Sequence, residues 1–119
     1  IISLLDIHAH NKPFKNYAVY NMAKAAHRMM VQSLALDMAP DVRVNGIAPG
    51  VNILPEADSD QALDQKQQKN IINSIPMQRI GRPYEIAHSV LYMAHASYVT
   101  GEIITVDGGR SLTLAGGHI

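Results

Sequence analysis

Hydrophobic and polar positions alternate along the chain in blocks that read as strand, helix, strand, helix, strand. Residues 1–5, Ile1-Ile2-Ser3-Leu4-Leu5, form a short apolar run suited to a strand covered on both faces. Residues 6–16 turn polar, with Asn11-Lys12-Pro13 as a turn signal. Over 17–38 the apolar residues recur at helical spacing: Val19, Ala23, Ala26, Met30 and Leu34 make one stripe, broadened by Met22, Met29 and Leu36. Pro40 stops that helix, since it has no N–H to continue the ladder. A second strand follows over 42–48, with Val42, Val44 and Ile47 apolar, and closes in Pro49-Gly50.

Residues 51–59 are irregular, and 60–74 are polar and Gln-rich, reading as a surface helix or a flap. Ala62, Leu63, Ile71, Ile72 and Ile75 are its buried candidates. Gly81-Arg82-Pro83 opens the next helix, with Pro83 early in it, where a missing N–H costs nothing. Ile86, Val90, Leu91 and Met93-Ala94 form its apolar face. After a turn at 98–101, a third strand over 102–106 ends at Asp107-Gly108-Gly109, a turn expected to open no helix. The tail, 110–119, is short, with Gly116-Gly117 expected to be loose.

A βαβαβ order implies an α/β fold with a parallel, layered sheet and helices against it. Ligands in such sheets sit outside the carboxyl ends of the strands, here Asp6, Pro49-Gly50 and Asp107. Composition narrows the classes. Hydrophobic residues make up 47% and charged residues 17% of the 119 positions, a globular balance that excludes a disordered chain. Lys+Arg and Asp+Glu are equal at 10 each, so the excess positive charge that nucleic-acid binding draws on is missing. No apolar run approaches the ~20 residues of a membrane helix, so no membrane partner is expected. The absence of cysteine excludes disulfides and thiolate metal sites and suits a reducing, cytoplasmic home. Aromatics are only 5%, which leaves an aliphatic core. Since the chain opens inside a strand, without an initiator Met or targeting segment, it is expected to be the later part of a larger chain.

The sharpest chemical feature is Tyr20-Asn21-Met22-Ala23-Lys24, a phenol and an ammonium at i and i+4 on one helix face. A free phenol, with a pKa near 10, is a poor acid or base at neutral pH. A nearby cation stabilises phenolate and should draw that pKa down toward the range general acid–base catalysis needs. Asp6 ends the strand before this helix, so its side chain should reach the same edge as Tyr20. The six histidines show no metal-site spacing and are expected to be surface or packing residues, with His8 alone near the pocket. No metal is expected.

Five stretches in one order resemble the short-chain dehydrogenase/reductase superfamily: the strand ending in a polar residue, Tyr17-Ala18-Val19-Tyr20-Asn21-Met22-Ala23-Lys24, the run from Val42 to Gly50, the run from Met77 to Ile86, and the run from Tyr98 to Gly109. Asp6-Ile7-His8-Ala9 looks most like the pteridine reductases, which carry Asp where most members carry Ser. The stretch from Asp6 to Tyr20 is one residue longer than usual, as from an insertion in the turn at 11–13. This resemblance implies a Rossmann-like, three-layer parallel sheet, with residues 1–119 as the C-terminal part of a single NAD(P)-binding domain. The Gly-rich turn that anchors the cofactor pyrophosphate has no counterpart in the sequence.

The resemblance also implies roles. Tyr20 is the proton donor, Lys24 holds the nicotinamide ribose and lowers the pKa of Tyr20, and Asp6 orients a pterin or relays a proton. Pro49, Gly50, Val51 and Asn52 border the nicotinamide of NADPH, and Leu54 and the segment after it wall the substrate pocket. The implied activity is NADPH-dependent reduction of pterins or dihydrofolate in a homo-oligomer, dimer or tetramer. Reduction of a carbonyl such as a 3-oxoacyl thioester is the alternative within the enzyme class, and a truncated, non-catalytic oligomerising fragment is the alternative outside it.

Overall fold

The computed structural model describes residues 1–9, 12–54, 58–60 and 62–114. Strand β1 is Ile2–Leu4, followed by a single 3₁₀ turn at Ile7–Ala9 and helix α1, Ala18–Met38. Strand β2, Asn45–Pro49, leads through helix α2, Gln65–Asn73, to helix α3, Pro83–His95. Strand β3, Ile103–Val106, is followed by a short helix α4, Arg110–Leu114. The strands lie in the order β1-β2-β3, all parallel, with Ile2 opposite Asn45 and Gly46 opposite Ile103. The expected parallel α/β sheet is therefore present. The tail expectation at Gly116-Gly117 and those for His10 and His118 fall outside the described residues. The turn at 107–109 departs from expectation, because it does open a helix, α4.

Alternation along the strands divides the apolar residues between two faces. On one, Leu5, Val31, Ala35 and Val44 are buried together, with Leu34, Met38 and Ile103 against them. On the other, Ile47, Ile86 and Met93 pack with Ile2, Val90, Ile104 and Val106. The sheet is thus the middle of three layers, with α1 and α3 on opposite sides.

The face of α1 against the sheet differs from the expected stripe. Val31 and Ala35 are buried, while Val19, Ala23, Ala26, Met22, Met29, Met30 and Leu36 are exposed. Of the expected stripe only Leu34 meets the sheet. This helix is apolar on two sides, so periodicity fixes its period without choosing the side that packs. In α3 the expected Ile86 and Met93 are buried, and Leu91 and Ala94 face outward.

Local chemistry fixes the helix ends. Asp64 caps α2 in a reciprocal box with Gln67, at 2.7 and 2.9 Å. Glu85, in the first turn of α3, accepts the Arg82 backbone N–H at 2.9 Å and a paired bond from Arg79 at 2.8 and 2.9 Å. Those donors hold the Glu85 carboxyl down at about 2, the Arg79 bonds being the larger cause. At the C-terminal end of α3, Arg43 donates to the carbonyls of Met93, Ala94 and Ala96, each at 2.9 Å. A guanidinium suits that place because the last carbonyls of a helix lack intrahelical partners.

Candidate active site

The carboxyl ends of β1 and β2 open into a cleft of ≈ 290 Å³. Its floor is Asp6, Ile7, Pro49 and Gly50, and its apolar wall is Ile53, Leu54, Leu63 and Ile71. His8 and Phe14 close one side and Arg110 another. A larger concavity of ≈ 470 Å³ is lined entirely by α3 and its C-cap, from His88 to Ala96, so it is a groove along one helix without converging groups.

Asp6 and Tyr20 come together as the sequence implied. The Tyr20 hydroxyl donates to Oδ2 of Asp6 at 2.8 Å, so the longer spacing between them does not part them. Oδ1 of Asp6 accepts the His8 backbone N–H at 2.8 Å, which fixes the carboxylate in the turn after β1. Nζ of Lys24 lies 5.8 Å from the centre of the Tyr20 ring, on the same helix face. Tyr20 meets the edge of the cleft through Asp6.

The electrostatics correct one expectation. The pKa of Tyr20 is not lowered but pushed up to about 12, first by desolvation, then by its hydrogen bond to Asp6 and the charge of Asp6. Both effects oppose phenolate: burial disfavours the charged form, and the carboxylate rewards the O–H donor. The ammonium one turn away is more distant than the carboxylate and does not reverse the balance.

Of the expected cofactor residues, Pro49, Gly50 and Val51 line the cleft, as does the substrate candidate Leu54. Asn52 instead sits against the next loop, where a Cβ on Gly81 would lie 3.5 Å from its Cβ. The Val51 carbonyl is already taken by the Gly81 N–H at 2.8 Å, leaving its N–H to meet a carboxamide. Gly50 has a steric reason: a Cβ there would come within 2.7 Å of the Asp107 Cβ. It lets the ends of β2 and β3 approach.

Sequence reasoning did not single out Ile7, Phe14, Ile53 or Arg110 as site residues; Leu63 and Ile71 belong to the segment after Leu54 expected along the pocket wall, and both line it. Phe14 had a signal, being the single Phe, in the loop between Asp6 and Tyr20. It stacks on His8 at 4.6 Å and on Tyr17 at 4.7 Å, and Tyr17 meets Tyr20 edge-on at 6.2 Å. His8 Nδ1 is 2.8 Å from the Lys12 carbonyl, so the expectation that His8 stands near the pocket holds. Among the described residues there is no group of three His, Asp or Glu side chains that could hold a metal ion, and no helix long and apolar enough to cross a membrane.

Residues 1–111 match the family model described as enoyl-(acyl carrier protein) reductase. The fold also matches a short-chain dehydrogenase/reductase of the glucose/ribitol dehydrogenase type from Brucella melitensis, with a TM-score of 0.76 and 30% identity over 92% of this chain and 42% of that one. The chain belongs to the short-chain dehydrogenase/reductase superfamily. Within the superfamily it is 37% identical over 112 residues to the 7alpha-hydroxysteroid dehydrogenase of Escherichia coli K12, covering 92% of this chain and 43% of that protein. It is 34% identical over 119 residues to pteridine reductase 1 of Leishmania tarentolae, covering 97% of this chain and 39% of that protein. The chain therefore spans less than half the length of the curated relatives it matches.

Members of the superfamily use a nicotinamide cofactor, and the residues present fit one end of it. Lys24 has no ion-pair partner among the described residues, so its ammonium is free to donate to ribose hydroxyls. The pyrophosphate end is different. At the turn 107–109 the Gly109 and Ser111 N–H groups already donate to the Asp107 carboxylate, at 2.9 and 2.7 Å. A helix start whose donors are taken by an anion does not hold a second one.

Proposed function

We propose that this chain carries the catalytic edge and substrate cleft of an NADPH-dependent reductase acting on the C=N bond of a dihydropterin or dihydrofolate. The observation that carries the reading is the Tyr20–Asp6 hydrogen bond at the mouth of the cleft, with Lys24 beside the ring. NADPH, when bound, supplies the hydride. Tyr20 then gives its proton to the substrate nitrogen, so that one hydride and one proton convert C=N to CH–NH. With a pKa near 12 the phenol is fully protonated at neutral pH, and it is held as a donor by Asp6. Lys24 holds the ribose, Pro49, Gly50 and the Val51 N–H border the nicotinamide, and Leu54 walls the substrate. Asn52, whose Cβ lies beside Gly81, completes the stretch bordering the nicotinamide. Carbonyl reduction, for instance of a 3-oxoacyl thioester, is the second reading, favoured by the likeness to a hydroxysteroid dehydrogenase. The same reading makes the protein a cytoplasmic homo-oligomer, dimer or tetramer, with residues 1–119 as the C-terminal part of one cofactor-binding domain. The exposed Val19, Met22, Met29 and Leu36 side of α1 supports a subunit contact there.

The test is turnover, with NADPH, of the longer protein of which this reading makes residues 1–119 the C-terminal part, on dihydrobiopterin and on an acetoacetyl thioester; the 119 residues alone are expected to be inactive. Pterin turnover is expected, and Tyr20→Phe should lower it by about 10²–10⁴-fold with an unchanged circular-dichroism spectrum. Activity on the thioester alone removes the pterin reading. A Tyr20→Phe variant that keeps most of its rate removes Tyr20 from the chemistry.

A further inference from the structure

Arg110 is the cation of the cleft. It is half-buried, and its Nε is inaccessible to solvent with no hydrogen-bond partner among the described residues. Burial lowers its pKa, against the opposing pull of Asp6 and Asp107, so its charge is incompletely solvated where it stands. Both neighbouring carboxylates are committed elsewhere. Asp6 receives the Tyr20 hydroxyl on one oxygen and the His8 N–H on the other. Asp107 receives the Gly109 and Ser111 N–H groups, one on each oxygen. Arg79–Glu85 is the one salt bridge among the described residues, so none of the described carboxylates lies within ion-pair distance of Arg110.

A guanidinium is a planar fork of donors whose best complement is a carboxylate. One buried guanidinium N–H without a partner is costly, and native proteins rarely leave such a donor without a use. Position adds the second argument. Arg110 stands at the start of α4, held there by the Asp107 turn, and shares a cleft with the acid that orients Tyr20. Asp6 repels an anion at the reacting end, whereas Arg110 attracts one beside it. A bound substrate is thereby given a direction.

We propose that Arg110 is a specificity-determining residue that pairs with a carboxylate on the substrate. This rests on the reductase reading only in taking the cleft as the substrate site, and of the two substrates named there it favours dihydrofolate, which carries carboxylates, over a neutral dihydropterin. The apolar wall of Ile53, Leu54, Leu63 and Ile71 takes the rest of such a molecule.

The test uses benzoate and its neutral isostere benzamide as probes on the full chain. The Arg110 Nε–H resonance, identified by its loss in Arg110→Gln, is followed by ¹H–¹⁵N correlation spectroscopy, and the backbone amides of Gly50 and Val51, which line the same cleft, read binding in every variant. Benzoate is expected to shift that resonance saturably and to bind at least about tenfold more tightly than benzamide. Arg110→Gln should remove that preference, Arg110→Lys should retain part of it, and Tyr20→Phe should leave it intact. Equal binding of the two probes, or an unchanged preference in a folded Arg110→Gln, overturns the proposal. Because the readout is binding and Tyr20→Phe is included, failure of the reductase reading shows in turnover and failure of this one in the probe preference.

Discussion

Tyr20 stands between a carboxylate and an ammonium, and distance decides between them. The hydroxyl is 2.8 Å from Asp6, whereas Lys24 is 5.8 Å from the ring centre, so the proton stays on the phenol. Replacing Asp6 by Asn removes the charge and keeps a hydrogen-bonding group. The Tyr20 pKa should then fall from about 12 toward, without reaching, its ordinary value, because desolvation is the largest cause and remains. Absorbance titration near 295 nm, differenced against Tyr20→Phe, reads the change; a pKa that stays at about 12 in Asp6→Asn removes the carboxylate as a cause. The sign for stability follows from a folded value above the unfolded one. The contribution is complete below about pH 10 and is lost as the pH climbs through about 12. The meeting of Asp6 with Tyr20 was legible in the sequence, since a polar strand end and the first turn of the next helix share an edge. The direction of the pKa shift was not, because it depends on a hydrogen-bond length that spacing does not carry. Arg110 was hidden for a related reason: three strands had to close before a residue after the last of them could face a residue after the first.

The order of strands and helices follows from apolar blocks and turn residues, and the structure keeps that order with ends shifted by a few residues. Which side of α1 packs does not follow, because Met22, Met29 and Leu36 compete on equal terms with Val31 and Ala35 until the sheet is present. The helix α4 was also out of reach, being nucleated by side-chain oxygens of Asp107 rather than by any apolar period. One polar residue does more for the elements than its type suggests. Asn45, buried in β2 at 1% exposure, donates to the Val99 carbonyl at 2.8 Å and accepts the Glu102 N–H at 3.0 Å. It thereby ties the loop between α3 and β3 to the middle strand. Asn45→Ala strands the Glu102 N–H, while the Val99 carbonyl keeps a longer contact from Arg43 at 3.3 Å. A loss of about 1 kcal/mol is expected from one part-buried donor left unsatisfied and a weakened acceptor. Denaturant unfolding measures it, and a loss under about 0.5 kcal/mol would show that the loop is held by Arg43 and packing alone.

Across the whole molecule the edge that holds Asp6 and Tyr20 is tied by hydrogen bonds, while much apolar surface stays open. The Cα radius of gyration is 15.5 Å, against about 13–14 Å for a compact domain of this length. The sheet has three strands, and large apolar residues such as Leu4, Met22, Leu36 and Leu91 are exposed. For a dinucleotide this means one end finds partners and the other does not. On the proposed reading Lys24 and the Val51 N–H meet the ribose and carboxamide, whereas the glycine turn at 107–109, which opens α4, has the Gly109 and Ser111 N–H groups bound to Asp107. Phosphate binding at a helix start depends on free donors and a favourable dipole, and here a carboxylate already uses both. These 119 residues on their own should therefore bind NADPH only in the millimolar range, corresponding to about −4 kcal/mol. Nicotinamide mononucleotide, which lacks the adenosine half, should bind about as well, since the half it lacks has nothing to meet. Isothermal titration of both ligands checks the pair of expectations. Micromolar NADPH affinity with a clear preference over the mononucleotide would mean that a phosphate site exists among these strands and that the Asp107 turn does not exclude it.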